Sequence, residues 1–507
     1  MASGYHGCVL RIDASSGHAE RVPVPDDVLR AYLGGSGLGT RLLLDAGAAE
    51  ADPLSPEASL VFAFSPLVGS PLTTSAKFAV VSKSPLTGRI NDSLASSGFA
   101  VAGKGVGCDA LVITGQAPEF SVIVIDAEGV EDGALPAVRL EPAADLRGAT
   151  CRDTEERLRA KLGPAFRIAS IGPAGERLVR YATISHDGRH AGRGGSGAVL
   201  GAKRIKAIAV RGKRRTPWAR PDELTALSRD LSKRSFGPAT AKYRELGTAT
   251  NMLVFNRFGS LPTRNFQQGT FDGADSLSPE TLSATRAKTR ESCVACTIGC
   301  EHIYGFGKDG AKAGVRVEYE SLFALGSLCG VSDADAVLHA SKRCDELGID
   351  TISADGTIAF AMECVEQGWL DAPWLTFGSG TALLRAIELI GARQGLGDLL
   401  AEGSRRAAAV IGHGSIAIAP QVKGLEIPGY EPRALQTMAL GLAVGARGAD
   451  HNRSGAYEVD FSDKVDRRHV TLDAVRHAID TEDKAAMMDS MILCKFLRGV
   501  FEDFYGE

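Results

Sequence analysis

The apolar positions change rhythm after residue 212. Before it, short β-branched runs stand between Gly, Pro and Ser clusters: Leu60-Val-Phe-Ala-Phe64, Phe78-Ala-Val-Val-Ser82, Ala110-Leu-Val-Ile-Thr114 and Phe120-Ser-Val-Ile-Val-Ile125. Runs of this length bounded by turn formers predict strands. After Asp222 the apolar residues recur at i, i+3 and i+4, as in Asp335-Ala-Val-Leu-His-Ala-Ser-Lys-Arg-Cys344 and Gly356-Thr-Ile-Ala-Phe-Ala-Met-Glu-Cys-Val365, which predicts helices. Asp333 is placed to cap the first of these. The run Lys213-Arg-Arg-Thr-Pro-Trp-Ala-Arg-Pro221 marks the change of pattern, and a loop-rich stretch, Lys423 to Arg433, opens a last segment that closes as helix. No internal repeat stands out. The pattern predicts an α+β chain: a β-rich domain over 1–212, a helical domain over 213–419 and a shorter, mainly helical domain over 420–507.

Composition removes several function classes. A formal charge of −4 with scattered basic residues offers no surface for nucleic acid or an anionic membrane. No apolar run approaches the ~20 residues that a membrane helix requires. The opening Met1-Ala-Ser-Gly-Tyr-His6 lacks a basic stretch followed by an apolar one, so no secretion signal is read there and a cytoplasmic location is expected.

The chemistry concentrates in cysteines. Ten in 507 residues do not make a disulfide scaffold, and three fall in Cys293-Val-Ala-Cys296-Thr-Ile-Gly-Cys300. Three thiolates in one turn leave a [4Fe–4S] cluster one ligand short, and Cys494 is the candidate for the fourth. Structural zinc and plain buried thiols are the competing readings, though zinc sites more often arrive as two ligand pairs. Glycine-rich stretches at 34–39, 103–107 and 192–197, with Lys77, Lys83, Arg193, Lys203 and Lys206 nearby, suggest backbone N–H groups and cations facing a bulky phosphorylated ligand.

Taken with Ser84-Pro-Leu-Thr-Gly88, Ile171-Gly-Pro-Ala-Gly-Glu-Arg177, Gly192-Arg-Gly-Gly-Ser-Gly197, Leu261-Pro-Thr-Arg-Asn-Phe266, Glu318-Tyr-Glu-Ser321, Asp345-Glu-Leu-Gly-Ile-Asp350 and Arg447-Gly-Ala-Asp-His451, in that order, the chain resembles the aldehyde:ferredoxin oxidoreductase family of tungsten or molybdenum bis-pterin enzymes. The resemblance runs from Leu33 to Phe496. It implies an N-terminal β-sheet domain that forms the base for a tungstopterin or molybdopterin, covered by two mainly helical domains. It also implies a [4Fe–4S] cluster on Cys293, Cys296, Cys300 and Cys494, electrons passing to ferredoxin, and an aldehyde or acid as substrate.

Residue by residue, the resemblance sets Glu320 and His451 near the metal as proton-transfer groups. Lys77, Arg193, Gly194, Gly195, Asp345, Asp350 and Asp489 are set against the cofactors. Three departures stand out. Lys77 replaces an arginine, keeping the charge but losing the bidentate fork. Leu94 stands where an asparagine helps hold magnesium, so the usual magnesium arrangement is in doubt. Ile492 replaces a glycine in the second pterin loop and is expected to tighten or displace it. The short final domain raises the expectation of a partner subunit that completes it. Two further readings follow: a subunit of a larger complex that reduces aromatic rings, and a pterin-free iron–sulfur subunit for electron transfer.

Overall fold

The computed structural model describes residues 3–306 and 314–500, so the end of the third predicted region, 501–507, lies outside the described residues. The fold is α+β, with a β-sheet region at the N-terminus followed by helices. Among the described residues, twelve strands lie before residue 212: β1 (Cys8–Asp13), β2 (Ala19–Pro23), β3 (Leu60–Ala63), β4 (Lys77–Lys83), β5 (Ile90–Ser96), β6 (Ala110–Thr114), β7 (Ser121–Asp126), β8 (Ala137–Pro142), β9 (Arg167–Ser170), β10 (Ile184–His186), β11 (Arg189–Ala191) and β12 (Ile205–Arg211).

They form two six-stranded sheets, ordered β2-β1-β6-β3-β4-β5 and β8-β7-β12-β9-β10-β11. The second order is the first with six added to each strand. The pairing repeats as well: β1 runs parallel to β6 as β7 does to β12, and every other pair is antiparallel. A short helix, Gly98–Lys104 in one half and Ser196–Ala202 in the other, precedes the last strand of each sheet. The repeat missing from the sequence pattern is therefore present as topology.

Strand alternation explains the layering. Leu10, Phe62, Phe78 and Ile113 of the first sheet share one buried cluster with Ile123, Ile184, Ile208 and Val210 of the second, so these faces form a common core. The outer face of the first sheet, with Val61, Val81 and Val112, is covered by Leu38 and Leu43 of the Gly35–Asp45 helix. That of the second, with Val124 and Ala209, is covered by Leu158 of the Cys151–Leu162 helix.

Beyond residue 220 helices dominate, around a core that includes Phe323, Leu338, Ile358, Met362, Leu383 and Leu442. Asp333 caps the Ala334–Leu347 helix, its carboxylate accepting from Asp335 N–H at 2.9 Å. Tyr181 joins the two regions, buried in the helical core with its O–H donating to Leu400 O at 2.8 Å. A small sheet, β13 (Lys288–Glu291), β14 (Glu301–Tyr304) and β15 (Val315–Val317), brackets the three-cysteine loop. Among the described residues no helix is long and apolar enough to cross a membrane.

Phe99 is fully buried, with its ring 5.7 Å from Phe62 and 5.0 Å from Phe78 between the sheets. Phe99→Ala should destabilise the protein by about 3–5 kcal/mol, as Phe truncations in tight cores do. A lowered thermal midpoint would register it.

Candidate functional site

The loop carrying Cys293, Cys296 and Cys300 is strapped to the N-terminal region. Thr74 N–H donates to Ala295 O at 2.9 Å, Thr297 N–H to Thr73 Oγ1 at 3.1 Å, and Val294 N–H to Ser97 Oγ at 3.1 Å. Cys494 lies just past the Leu472–Met491 helix, and its N–H reaches Thr74 Oγ1 at 3.5 Å. One residue thus touches both the loop and the distant fourth cysteine. Thr74 holds φ = +66°, a left-handed conformation uncommon for a β-branched side chain. Burial pushes the Cys300 thiol up, and neighbouring Cys494, Cys293 and Cys296 push it further, so all four sulfurs share one electrostatic neighbourhood. These four are partly exposed, while the other six cysteines are buried.

No three of these sulfurs lie within 4.8 Å of one another. A tetrahedral zinc, with Zn–S near 2.3 Å, draws its ligands closer than that. Among the described residues, the donors that do meet at 4.8 Å are Glu155, His186 and Asp187. Arg159 Nη2 contacts both carboxylates there. His186 Nδ1 bonds Ile168 O at 2.6 Å, and its Nε2 accepts from Phe99 N–H at 2.8 Å. A guanidinium already fills the cation position and both ring nitrogens are engaged, so this group is structural.

Lys77 starts β4 beside the cysteines. Burial opposes its charge, but Cys494, Cys293, Cys300 and Asp489 outweigh that and raise its pKa. Arg193 crosses from the loop after β11 into the helical region, donating to the carbonyls of Ala449 and Glu426, with Nε 3.5 Å from Asp350 Oδ2. Asp350 caps the Thr351–Glu366 helix through Ser353 N–H at 3.2 Å. Asp489 is held by Lys495 at 2.9 Å. Asp345 sits apart from these: a third of its side chain is exposed, and its Oδ1 is 3.0 Å from His190 Nε2 without hydrogen-bond alignment.

Glu320 and His451 meet in the interior. His451 Nε2 lies 3.6 Å from Glu320 Oε1, and Glu320 Oε2 accepts from Gly429 N–H at 3.1 Å. Burial is the main cause that raises the Glu320 pKa to about 8 and lowers that of His451 to about 3. At pH 7 both are therefore neutral, and the contact is not an ion pair despite its distance. Tyr430 stacks on the imidazole at 5.0 Å. Asn452 Nδ2 is 3.0 Å from Nε2, and with that amide donating, the ring proton sits on Nδ1.

Around this pair run buried charges. Arg447 lies 3.3 Å from Asp450 and 3.7 Å from Asp92, and Arg453 pairs with Asp92. Arg447 Nε and Nη2, His451 Nδ1 and Glu320 Oε1 are buried with no protein partner. Buried donors are normally satisfied, and two on one guanidinium suit an anionic, hydrogen-bonding ligand such as a pterin phosphate. A Cβ on Gly192 would meet only Asp350 Oδ1, at 3.9 Å, so the backbone there faces open space. The residues present fit such a group.

Other expected features have different reasons. Gly194 and Gly195 are left-handed, and a Cβ on either would lie 2.0 Å from Asn91 Oδ1 or Arg180 O, so protein packing already demands them. The glycines at 34–39 mostly lie in a helix whose Gly35 and Gly37 touch Asp489 O and Ser490 Oγ; they admit another helix rather than a ligand. Lys83, Lys203 and Lys206 are taken up by Ala49 and Ala51 carbonyls, by Pro56, Ala58 and Gly115 carbonyls, and by Glu176. Ile492 caps the end of the Leu472–Met491 helix. It adopts φ = +57° and buries its side chain against Gly35. Leu94 is half-buried on β5, against the core of the outer face. Thr74, Ser96, Asp92, Arg453 and Lys495 carry no local signal, because each finds its partners hundreds of residues or a loop away. Arg447 alone stood inside a recognised motif. A crevice of about 290 Å³, lined in part by Asn452, Tyr457, Met488, Lys495 and Arg498, opens beside the site.

Comparison with known proteins gives a consistent result. Residues 9–212 match the family described as "Aldehyde ferredoxin oxidoreductase, N-terminal domain", and 228–506 match "Aldehyde ferredoxin oxidoreductase, domains 2 & 3". The chain is 37% identical over 506 residues to the tungsten-containing aldehyde ferredoxin oxidoreductases of Thermococcus kodakarensis and of Pyrococcus furiosus, covering 97% of this chain and 82% of each relative. It is 28% identical to the aliphatic sulfonate oxidoreductase, WOR-like subunit, of Pyrococcus furiosus, over 97% of this chain and 79% of that one. The solved active site complex BamBC of benzoyl coenzyme A reductase shares the fold, with a TM-score of 0.82 at 24% identity over 98% of this chain and 82% of that chain.

The Glu320 shift has a consequence for stability. Its folded pKa of about 8 exceeds the ordinary 4.5, so the native state keeps a proton that the unfolded chain releases. This contribution is complete below pH 4.5 and is lost as pH rises through about 8. In cofactor-free protein, Glu320→Gln should flatten the fall in stability between pH 5 and pH 8, seen as denaturation midpoints that converge at pH 5 and separate at pH 8.

Proposed function

This chain belongs to the aldehyde ferredoxin oxidoreductase family, and from that premise we propose that it is an oxidoreductase interconverting aldehydes and carboxylic acids at a tungsten-bearing pterin. In the oxidative direction an aldehyde and water become a carboxylic acid, two protons and two electrons. The observation that carries the reading is the 3.6 Å contact of Glu320 with His451, two titratable groups whose charged forms burial disfavours. A bound tungsten or molybdenum pterin would supply the two-electron redox step, and a [4Fe–4S] cluster would pass electrons singly to ferredoxin.

The cluster ligands in this reading are Cys293, Cys296, Cys300 and Cys494. Arg193, Arg447 and Lys495 offset the phosphate charge of the pterins, and Asp350, Asp489 and the more exposed Asp345 accept from their amino groups. Lys77 feels both the sulfurs and Asp489 and keeps positive charge near them. A pterin-free role would leave the unpartnered donors of Arg447 buried for no gain, which disfavours it. The reading as part of a ring-reducing complex rests on fold likeness alone.

Glu320 exchanges its proton near working pH, where a general base is most effective. In its ionised form, which grows as pH rises through about 8, it takes the proton from water attacking the aldehyde carbon. The His451 Nδ1–H, with no protein partner, hydrogen-bonds the developing oxyanion. Tyr430 stacks on the imidazole and helps fix its plane, and only 11% of the His451 side chain and 16% of the Glu320 side chain are exposed. Ten cysteines free of disulfides suit a reducing compartment, in keeping with a cytoplasmic enzyme.

Two outcomes test the reading. Anaerobically purified protein should contain about four irons per chain, and Cys494→Ala should lower that sharply; unchanged iron would remove Cys494 from the ligand set. Aldehyde oxidation, followed as kcat/KM, should rise through about pH 8. Glu320→Gln should lose that limb and about 10²–10⁴ in rate with tungsten and pterin retained; full activity would exclude the proposed base.

A further inference from the structure

We propose that the Ser96 hydroxyl donates a hydrogen bond to the Cys293 sulfur and thereby sets the reduction potential of the iron–sulfur cluster. This rests on the reading of Cys293 as a cluster ligand. Ser96 Oγ lies 3.2 Å from Cys293 Sγ, within the range for a bond to sulfur, and Ser96 is buried at 7% exposure. A sulfur bound to iron carries no proton, so the hydroxyl is the donor.

Two features fix that hydroxyl in place. Ser96 ends β5 and pairs in register with Lys77 on β4, so both side chains project from the same face of the sheet. The next residue, Ser97, accepts from Val294 N–H at 3.1 Å, which holds the backbone beside Cys293 against the end of β5. Strand and cysteine loop cannot drift apart without breaking that bond.

The chemistry follows from charge. A reduced cluster holds one more electron, part of it on the ligand sulfurs, and an O–H dipole aimed at a sulfur favours that form. Cys296 receives a comparable contact from the Ile298 backbone N–H at 3.4 Å. That donor is common to any residue but proline at position 298, whereas the donor on Cys293 exists only because residue 96 carries a hydroxyl. Lys77 adds a charge felt by three cysteines together. Ser96 acts on one sulfur, at contact.

The test is a dye-mediated redox titration of anaerobic full-length protein, following the EPR signal of the reduced cluster. It compares wild type with Ser96→Ala and Ser96→Thr, with iron measured in each. Ser96→Ala should make reduction about tenfold less favourable, a shift of about 59 mV to more negative potential for one electron. Ser96→Thr, which keeps a hydroxyl, should stay within about twofold of wild type. An unchanged potential in Ser96→Ala would overturn the proposal. So would loss of iron from that variant, which would make Ser96 a structural residue. Wild-type protein without iron would instead overturn the cluster reading itself.

Discussion

Thr74 holds the site together from the middle of a strained turn. Its N–H binds the cysteine loop at Ala295, and its hydroxyl faces the amide of Cys494, so positions 74, 295 and 494 converge on one residue. A left-handed conformation costs an L-residue roughly 1–2 kcal/mol. Such strain persists only where the surroundings over-determine it, and here bonds on both sides do. Ile492 shows the same balance two residues before Cys494. Full burial of its side chain is worth about 1.5–3 kcal/mol, enough to offset the left-handed backbone that a glycine would adopt more easily.

The interior keeps two electrostatic regimes side by side. Asp92, Asp450 and Asp489 face Arg447, Arg453 and Lys495. Asp450, although buried, is held below the ordinary carboxylate range by Arg447, His451 and Arg193. Glu320, with 16% of its side chain exposed, lacks such a close cation and keeps its proton. Two carboxyls beside the same imidazole, one next to it in sequence and the other 3.6 Å away across the fold, thus take opposite protonation states, one fixed as a charge and the other free to exchange.

Much of this was legible in the residues. The β-rich start, the helical remainder and the Asp333 cap follow from local pattern, because strand alternation and helix capping are short-range effects. The CxxCxxxC run is equally local. Pairings across long separations were not legible: Arg453 with Asp92 spans 361 residues, and nothing near either residue announces the other. The glycines at 34–39 misled for a related reason. A small residue required by a neighbouring helix looks, in sequence, the same as one required by a phosphate. The repeated sheet escaped because it is conserved as hydrogen-bonding order, while its connecting loops differ in length and composition.

That duplication has a bearing on how the interior is shared out. β5 and β11 hold equivalent places in their sheets and lie against each other, so the loops that follow them emerge as a matched pair. At one, Ser96 faces the Cys293 sulfur and Ser97 accepts from Val294 N–H; the other carries Arg193 toward carboxylates and carbonyls. A scaffold with near two-fold order has thus given its twin corners unlike contents. The two corners therefore differ in chemistry although the framework that carries them is almost symmetric.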